Sequence, residues 1–372
     1  MPPESNHANG QIIALEPYFG GSHRIFLEGL QAHLNCTCRM LTLPAHGWKW
    51  RMRLAAPWFA SELQRTLPTP PDNCCLLCST FVDVATLKAL LPVEWRDVPL
   101  ASYFHENQFA YPVRTDHDRD LHFGLTNLTT ALASDRLAFN SAYNLETLLA
   151  GFRPVLKKAP DMNFPDTEQL IRAKSIILPP PLDFKGVDAI SATAPNETPV
   201  ILWNHRWEHD KNPEQFFAAL MELKRRGVDF KLIVLGQSFR QQPPIFDEAR
   251  QKLQQQIIQF GYVASREEYL QWLHRADLVI STADHEFFGL AIIEAVRAGC
   301  RPLLPKRLAY PEIFPQEYLY EEENFIEKLI RELKEKRLSK EESIALTDSF
   351  SWGSLAERYH QWLLPNRTSG ND

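Results

Sequence analysis

Residues 282–302 read TADHEFFGLAIIEAVRAGCRP and directly follow the apolar run Leu278–Ser281. The apolar run predicts a buried β-strand. The residues after it predict a helix that starts near Gly289 and ends at Gly299, because glycine often stands just outside a helix end. A helix N-terminus presents backbone N–H groups and the positive end of the helix dipole. This strand, loop and helix therefore form a candidate site for a phosphate or a sugar hydroxyl.

Two glutamates are placed around this helix. Glu286 stands just before it, and Glu294 lies inside it, about two turns further on. Each carboxylate can accept two hydroxyl donors, as a ribose diol or a pair of sugar hydroxyls requires. Spacing alone also fits a capping glutamate and a surface glutamate on an ordinary helix. The Phe-Gly pair before the helix and the Ala-Gly-x-x-Pro after it favour the ligand site.

The same alternation of short apolar runs and longer amphipathic stretches recurs along the 372 residues. It predicts an α/β protein with two doubly wound, mostly parallel sheets, because this length suggests two domains. The predicted strands are Ile12–Leu15, Cys75–Cys78, Leu100–Tyr103, Arg136–Phe139, Ser175–Leu178, Val200–Trp203, Lys231–Leu235, Leu278–Ser281 and Arg301–Leu304. The predicted parts are an N-terminal domain (1–187), a polar linker (188–199), a second domain (200–347) and a C-terminal helix with a tail (348–372).

Two cations follow the first predicted strand of the second half. Arg206 and Lys211 precede a helix that Asn212 can cap and that Pro213 can begin. Two positive side chains and a helix dipole at one point predict a diphosphate site. Solvated surface cations are the alternative that this spacing leaves open.

The loops of the first half carry glycines and polar side chains at strand ends. Gly20 and Gly21 follow the first strand and allow a close approach to a ligand. His105, Glu106 and Asn107 follow the strand Leu100–Tyr103, and such side chains are hard to bury without partners. We therefore expect them to line a ligand cleft.

The segment from Trp48 to Arg53 interleaves aromatic rings with cations. Trp48 and Trp50 alternate with Lys49 and Arg51, and Arg53 follows. This pattern suits splayed nucleic-acid bases and their phosphates. An amphipathic helix that packs its tryptophans on the core fits equally well, so both interpretations stay open here.

Composition narrows the function classes. Hydrophobic residues make up 44% and charged residues 23%, and the net charge of −6 argues mildly against a large nucleic-acid surface. No apolar run reaches membrane-spanning length and the N-terminus lacks a signal-peptide layout, so we expect a cytoplasmic protein. The six cysteines are expected to be free thiols, mostly buried, rather than zinc ligands. Asp116 and Asp118 form a D-x-D in a polar loop, which we interpret as solvated surface, and we expect no metal.

The pattern from Glu286 to Glu294 resembles the E-x7-E motif of glycosyltransferase family 4, whose members have the GT-B fold. That fold places two Rossmann-like domains around a cleft, with a C-terminal helix that crosses back to the first domain; Phe350–Tyr359 resembles this helix. The resemblance implies that Glu294 binds the donor ribose and Glu286 the donor sugar. It also implies that the backbone of Phe288, Gly289 and Leu290 holds the donor, and that Arg206 and Lys211 neutralise its diphosphate. The glycine loop at Gly20 and Gly21 would face the donor diphosphate, and His105 would hydrogen-bond the transferred sugar.

Residues 17–23, 48–53, 104–108, 111–112, 205–211 and 285–289 resemble the tRNA-queuosine mannosyltransferases, a branch of family 4 that transfers mannose from GDP-mannose to queuosine in a tRNA anticodon. The mechanism that this resemblance implies retains the anomeric configuration. This resemblance implies a queuosine-containing tRNA as partner, a nucleotide-sugar donor, no cofactor, no metal and no membrane, and a monomer is favoured. It leaves residues 160–171 without a counterpart. The implied acceptor residues are His23, Trp48, Trp50, Arg51, Arg53, Glu106 and Asn107.

Two other functions stay open at this point. One is a glycosyltransferase of the same family with a small-molecule or lipid acceptor, although no basic amphipathic helix of the kind that goes with lipid acceptors is evident in the first half. The other is a non-catalytic protein that binds nucleotide sugars. The intact set of Glu286, Glu294, Arg206, Lys211 and His105 speaks against this second alternative.

Overall fold

The computed structural model describes residues 10–111, 120–158, 161–162, 164–191, 194–238 and 242–365. Their contacts divide the chain into two compact units. The first unit comprises the chain up to Leu182 together with the segment from Trp352, and the second comprises Asp183–Ser351.

Strands and helices alternate along the described residues. The strands are β1 (Gln11–Phe19), β2 (Thr37–Pro44), β3 (Cys74–Ser79), β4 (Leu100–Phe104), β5 (Arg136–Phe139), β6 (Ser175–Ile177), β7 (Val200–Asn204), β8 (Lys231–Leu235), β9 (Ile257–Gly261), β10 (Leu278–Ile280), β11 (Arg301–Pro305) and β12 (Leu319–Tyr320). The helices are α1 (Gly21–His33), α2 (Trp48–Thr66), α3 (Val84–Leu90), α4 (Leu121–Ala133), α5 (Ala142–Leu156), α6 (Thr167–Ala173), α7 (Lys185–Asp188), α8 (Pro213–Arg225), α9 (Ile245–Lys252), α10 (Arg266–Arg275), α11 (Leu290–Arg297), α12 (Tyr310–Ile313), α13 (Phe325–Glu332), α14 (Lys340–Thr347) and α15 (Trp352–Leu363). Each predicted apolar run coincides with one of these strands, and the runs Ser175–Leu178 and Leu278–Ser281 extend one residue past the strand end.

The first unit is built on a parallel sheet with the strand order β2-β1-β3-β4-β5-β6. Side chains of β1 alternate between its two faces. Ile12 and Ala14 pack with apolar residues of α1 and α15, whereas Ile13 and Leu15 pack with those of α2 and α3. Helices on both faces explain why the central strands are continuous apolar runs.

The C-terminal helix α15 belongs to the first unit, as predicted. Its tryptophan Trp352 stacks on His33 with ring centroids 5.1 Å apart. Near its end, Nη1 of Arg136 in β5 donates to the carbonyl of Leu363 at 2.8 Å. The Tyr359 hydroxyl donates to the carbonyl of Pro179 at 2.9 Å. These contacts fix the last helix on the sheet that the first half of the chain forms.

The second unit is built on a parallel sheet with the strand order β12-β11-β10-β7-β8-β9. Trp203 of β7 packs with Phe216 and Phe217 of α8 and with Phe246 of α9 at the centre of its core. The predicted start of α8 is confirmed, because the Asn212 side chain accepts a hydrogen bond from the backbone of the first helical turn at 3.1 Å.

Candidate active site

The strand order of the second unit places two loops side by side. The order of its strands reverses between β10 and β7, and ligands of open α/β sheets bind at the carboxyl ends of the strands at such a point. The loop after β7 carries Arg206 and Lys211, and the loop after β10 leads to Glu286. The two loops are bonded to each other, since the backbone amides of Asp284 and His285 donate to the carbonyl of Asp210 at 2.9 and 3.1 Å.

Lys211 is a buried cation between two carboxylates. Its Nζ lies 3.3 Å from Oε2 of Glu286 and 3.1 Å from Oδ2 of Asp210, and it donates to the carbonyl of His285 at 2.7 Å. Burial alone would lower the pKa of Lys211, but Glu286 and Asp210 raise it above its ordinary value. Burial would likewise raise the pKa of Glu286, but Lys211 and the neighbouring His205 and His285 hold it below its ordinary value. Both groups are therefore charged at neutral pH.

Arg206 and His205 complete the loop after β7. The Arg206 guanidinium is half exposed and lies 3.1 Å from Oε2 of Glu208. Its positive charge also opposes the protonation of Lys211 and so acts to lower the Lys211 pKa. His205 is buried, and burial together with Lys211 lowers its pKa to about 4, so its ring is neutral at neutral pH. Its Nε2 atom has no hydrogen-bond partner among the described residues. The buried Lys211 cation and the half-exposed Arg206 cation thus stand on the same loop after β7.

Helix α11 begins where the sequence predicts it, at Leu290. Gly289 precedes it with φ of +98°, a conformation that disfavours other residues, and a Cβ there would stand 3.2 Å from the ring of Tyr310. The first N–H groups of such a helix have no partner within it and can bind an anion. Phe288 is buried just before it and packs edge-on against Phe350 at 5.6 Å.

Glu294 lies in the second turn of α11 and is held by residues that sequence reasoning missed. Its Oε1 pairs with Arg266, and its Oε2 accepts from the Tyr269 hydroxyl at 3.1 Å. The same hydroxyl accepts a hydrogen bond from Asn204, at the end of β7, at 2.8 Å. Arg266 and Tyr269 lie one turn apart on α10, a spacing too common to serve as a signal in the sequence. This network links Glu294 to α10 and to the end of β7 and fixes the direction of its carboxylate.

In the first unit, polar residues gather where the strand order reverses between β1 and β3. We call Glu16, His23, His105 and Glu106 the His23 cluster. His23 Nδ1 lies 2.9 Å from Oε2 of Glu16, its Nε2 lies 3.5 Å from Oε2 of Glu106, and its ring is 4.1 Å from that of His105. Glu16 was not predicted as a site residue, because a carboxylate inside an apolar β-strand carries no motif.

The two histidines of the His23 cluster carry different charges. Burial would lower the pKa of His23, but Glu16 and Glu106 on either side raise it to about 10, so the ring is an imidazolium at neutral pH. Burial and the neighbouring His23 charge hold the pKa of His105 well below its ordinary value. His105 is therefore neutral and can donate or accept a hydrogen bond.

The glycine pair and Asn107 shape the loops around the His23 cluster. A Cβ on Gly20 would lie 2.5 Å from the Cβ of Ala45, and Gly21 has φ of +52°. Asn107 is fully buried: its amide nitrogen donates to the side chains of Asn144 and Thr147, both at 2.9 Å. Asn107 therefore ties the loop to α5 and is a structural support rather than a solvent-facing contact.

The tryptophans at the start of α2 differ in their surroundings. Trp48 packs on Phe123 at 5.1 Å, whereas the Trp50 residue is 70% exposed. The Arg53 guanidinium lies over the same Phe123 ring at 4.7 Å and pairs with Asp120. Arg51 contacts His46 through one guanidinium nitrogen at 3.2 Å. Trp48 thus packs on the protein, whereas Trp50 is exposed, and its contact with a nucleic acid stays a prediction.

Other features of the described chain concern metals and membranes. Within the described ranges, no group of three or more His, Cys, Asp or Glu side chains is placed to hold a metal ion. The D-x-D at Asp116–Asp118 lies outside the described residues. The six cysteines are free, and all except the half-buried Cys36 are buried, as expected. Among the helices described, none has the length and apolar character needed to cross a bilayer.

Comparisons with known proteins agree with this architecture. Residues 11–182 match the family model for the N-terminal part of tRNA-queuosine alpha-mannosyltransferase, and residues 188–344 match the model for glycosyl transferases group 1. A tRNA-queuosine alpha-mannosyltransferase from Drosophila melanogaster is 37% identical over 332 residues, which cover 86% of each chain. A GDP-mannose:cellobiosyl-diphosphopolyprenol alpha-mannosyltransferase from Xanthomonas oryzae is 27% identical over 114 residues, about 30% of each chain.

Among solved structures, sucrose-phosphate synthase from Thermosynechococcus elongatus superimposes with a TM-score of 0.68 at 15% identity, over 94% of this chain and 98% of that one. This likeness shows the fold, which is GT-B. The chain therefore belongs to the tRNA-queuosine alpha-mannosyltransferase family, and it is a glycosyltransferase.

Proposed function

We propose that this enzyme transfers mannose from GDP-mannose to the queuosine base of a tRNA, with retention of the anomeric configuration. The acceptor is supported by the name of the Drosophila relative and by the family model that matches the first unit. The donor is supported by the name of the Xanthomonas relative. The observation that carries the proposal is the buried Lys211 cation beside Glu286, directly before the N-terminus of α11.

The second unit supplies the donor contacts. Lys211 and Arg206 stabilise the negative charge that develops on the departing diphosphate, and the first N–H groups of α11, at Gly289 and Leu290, add to this. Glu294 accepts hydrogen bonds from the two ribose hydroxyls of the nucleotide. Because Oε1 of Glu294 is paired with Arg266 in this structure, donor binding exchanges that contact for a ribose hydroxyl.

The chemical step needs no protein nucleophile. The bond between the anomeric carbon and the diphosphate oxygen breaks, and its electron pair leaves with GDP. A hydroxyl of queuosine bonds to the same face of the anomeric carbon, and its proton passes to the departing phosphate. The transition state resembles an oxocarbenium ion, as in glycoside chemistry. The neutral His105 hydrogen-bonds a hydroxyl of the transferred sugar.

The first unit supplies the acceptor contacts. Trp50 is exposed on α2 and can stack on a base, and Lys49 and Arg51 on the same helix turn can meet phosphates. The His23 cluster is the polar site at the carboxyl ends of the strands, where the modified base is expected. A cytoplasmic location and a monomeric state stay predictions.

Protein cations take the place of a metal in this proposal. Activity is therefore expected to survive EDTA and to need no added divalent ion. A loss of transfer in EDTA that Mg²⁺ or Mn²⁺ restores would contradict this part of the proposal.

The proposed reaction is tested by label transfer. The protein is incubated with radiolabelled GDP-mannose and with one tRNA prepared with and without queuosine. Label is expected only in the queuosine-containing tRNA. Label in both tRNAs, or in neither while a small molecule or a lipid extract is labelled, would replace the proposed acceptor.

A further inference from the structure

The His23 cluster carries one more negative charge than positive charge when its carboxylates are ionised. Glu16 and Glu106 flank a single imidazolium, and His105 next to it is neutral. Glu16 and His23 are almost wholly buried, and the Glu106 side chain is 13% exposed. Buried charges are normally balanced by partners. The cluster therefore has one negative charge that a further cation would balance.

Counting hydrogen bonds points to the same place. Glu16 uses both oxygens, because Oε1 accepts from the backbone of Tyr18 at 2.8 Å and Oε2 contacts His23. Glu106 uses only Oε2. Its Oε1 is buried and has no hydrogen-bond partner among the described residues. A buried polar atom without a partner is costly, so it calls for an explanation.

A second unpartnered atom lies at the same sheet edge. The hydroxyl of Ser79, at the end of β3, is buried and has no partner in the described part of the chain. Ser79, Glu16 and His105 together line a cavity of about 10 Å³, which has the size of one water molecule. This cavity is too small for a base, and Glu106 does not line it. The Glu106 side chain is the most exposed of the cluster, so a ligand from solvent meets it first and must displace the groups that cover its buried Oε1.

The proposed acceptor carries the cation that this site lacks. Queuosine joins a cyclopentene diol to 7-deazaguanine through an aminomethyl group. A secondary amine of this kind is a base that is largely protonated at neutral pH, although its two unsaturated neighbours make it less basic than lysine. It offers two N–H donors with a positive charge, and a carboxylate oxygen is the acceptor that binds such donors most strongly.

We propose that Glu106 binds the protonated amine of the queuosine side chain, and that the His23 cluster thereby selects bases that carry this amine. This proposal rests on the proposed function. His23 holds the Glu106 carboxylate in place from the opposite side, through Oε2, and Glu16 holds His23. Glu106 is thus a specificity-determining residue, and His23 and Glu16 are positioning residues. Unmodified guanine has no amine at this position and gains nothing from the site.

The test uses one tRNA with four different bases at the modified position: guanine, 7-cyano-7-deazaguanine, 7-aminomethyl-7-deazaguanine and queuine. The cyano and aminomethyl bases differ in the cation and share the ring. Equilibrium binding to the wild-type protein is expected to be about tenfold or more tighter for the aminomethyl tRNA than for the cyano tRNA. In Glu106→Gln, which keeps the side-chain shape, this difference should disappear.

Two controls separate the outcomes. Glu28→Gln removes an exposed carboxylate of α1 that pairs with Arg24, and it should keep the full difference. GDP binding should be unchanged in both variants, which shows that they are folded. Equal affinity of the wild type for the cyano and aminomethyl tRNAs, or a difference that survives in Glu106→Gln, would overturn the proposal. If Glu106 fails this test but the wild type still transfers mannose to the queuosine tRNA, only the role of Glu106 is wrong and the proposed function stands. If the wild type neither binds nor labels the queuosine tRNA, the role of Glu106 and the proposed function both fail.

Discussion

The Nζ atom of Lys211 lies 3.3 Å from Oε2 of Glu286, although the two residues belong to loops that follow different strands. The chain separates them by three strands and three helices, and the strand order brings them together. Both side chains are largely buried, and Asp210 supplies a second carboxylate. This pairing explains how a lysine and a glutamate can both stay charged beside the start of α11.

Lys211→Ala is expected to impair both turnover and stability. Loss of a charge-assisted contact in the transition state is worth about 1.5–3 kcal/mol, which lowers kcat/KM about 10- to 150-fold. The change also leaves Glu286 and Asp210 without their cation, and breaking such a buried pair costs about 3 kcal/mol of stability. Steady-state kinetics and thermal melts measure the two effects. Lys224→Ala, an exposed lysine of α8, is the control and should change neither.

Arg206→Ala should impair turnover alone. The Arg206 side chain is half exposed and that of Glu208, with which it pairs, is about one third exposed, and such surface pairs contribute about 0–1 kcal/mol to stability. The fall in kcat/KM should be about 10-fold or more, with the melting temperature near that of the wild type. Wild-type turnover in this variant would remove Arg206 from the diphosphate site.

Glu294→Gln and Tyr269→Phe should weaken GDP binding to different extents. Glu294 would lose a charged contact with the ribose, about 1.5–3 kcal/mol, which is about 10- to 150-fold in Kd. Tyr269→Phe removes only the hydroxyl that orients Glu294, so about 0.5–1.5 kcal/mol is expected. Calorimetry with GDP measures both. If Tyr269→Phe weakened GDP binding more than Glu294→Gln, the orienting role of Tyr269 would be wrong.

Trp50→Ala should lower tRNA affinity without lowering stability, because its ring is exposed. A stacked base is worth about 1–3 kcal/mol. Trp48→Ala should instead destabilise the first unit by about 0.5–3 kcal/mol, since Trp48 is half-buried and packs on Phe123. Trp50→Phe keeps an aromatic face and should retain most of the affinity. Filter binding and thermal melts on the three variants measure this. Unchanged tRNA binding in Trp50→Ala would exclude this face of α2 from the tRNA contact.

Much of the fold can be predicted from the sequence, and the strands that were missed share one position. β2, β9 and β12 each lie at an edge of their sheet. β2 and β9 are partly exposed and mix polar with apolar residues, so they lack the continuous apolar run that marks a buried parallel strand. β12 is buried but only two residues long, too short to recognise as a run. The edge strand β6 was found because Ser175–Leu178 is a short apolar run. The prediction for the central strands succeeded because helices cover both of their faces.

The site residues divide in a similar way. Those that follow a central strand, such as Lys211, Glu286 and His105, could be found because apolar runs and helix-capping residues mark strand ends and helix starts in the sequence. The partners of Glu294 on α10 could not be found, because they become its neighbours only through the fold. Glu16, the partner of His23, lies only seven residues before it, but a carboxylate inside an apolar strand carries no motif. Burial also separates Asn107, which is fully internal, from Glu106 next to it.

His23 makes stability depend on pH in a defined direction. The folded state raises the pKa of His23 from 6.5 to about 10, because Glu16 and Glu106 flank it, while His105 beside it is neutral. The folded state therefore binds this proton more tightly than the unfolded state. The stability that His23 contributes is fully present below about pH 6.5 and is lost as pH rises towards about 10.

His23→Gln removes this titration while keeping a polar side chain. The difference in melting temperature between wild type and His23→Gln should be largest near pH 6 and should shrink steadily towards pH 10, about the range that the two pKa values span. A difference that stays constant across this range would show that the His23 proton is not held by its two carboxylates.

The most direct test of the account is the analysis of nucleosides from a queuosine-containing tRNA after incubation with the protein and GDP-mannose. The account predicts that the queuosine nucleoside gains one hexose, that the sugar is mannose in the α configuration, and that Lys211→Ala forms this product much more slowly. A tRNA whose queuosine stays unmodified under conditions where the protein binds GDP, or a β-linked product, would contradict it.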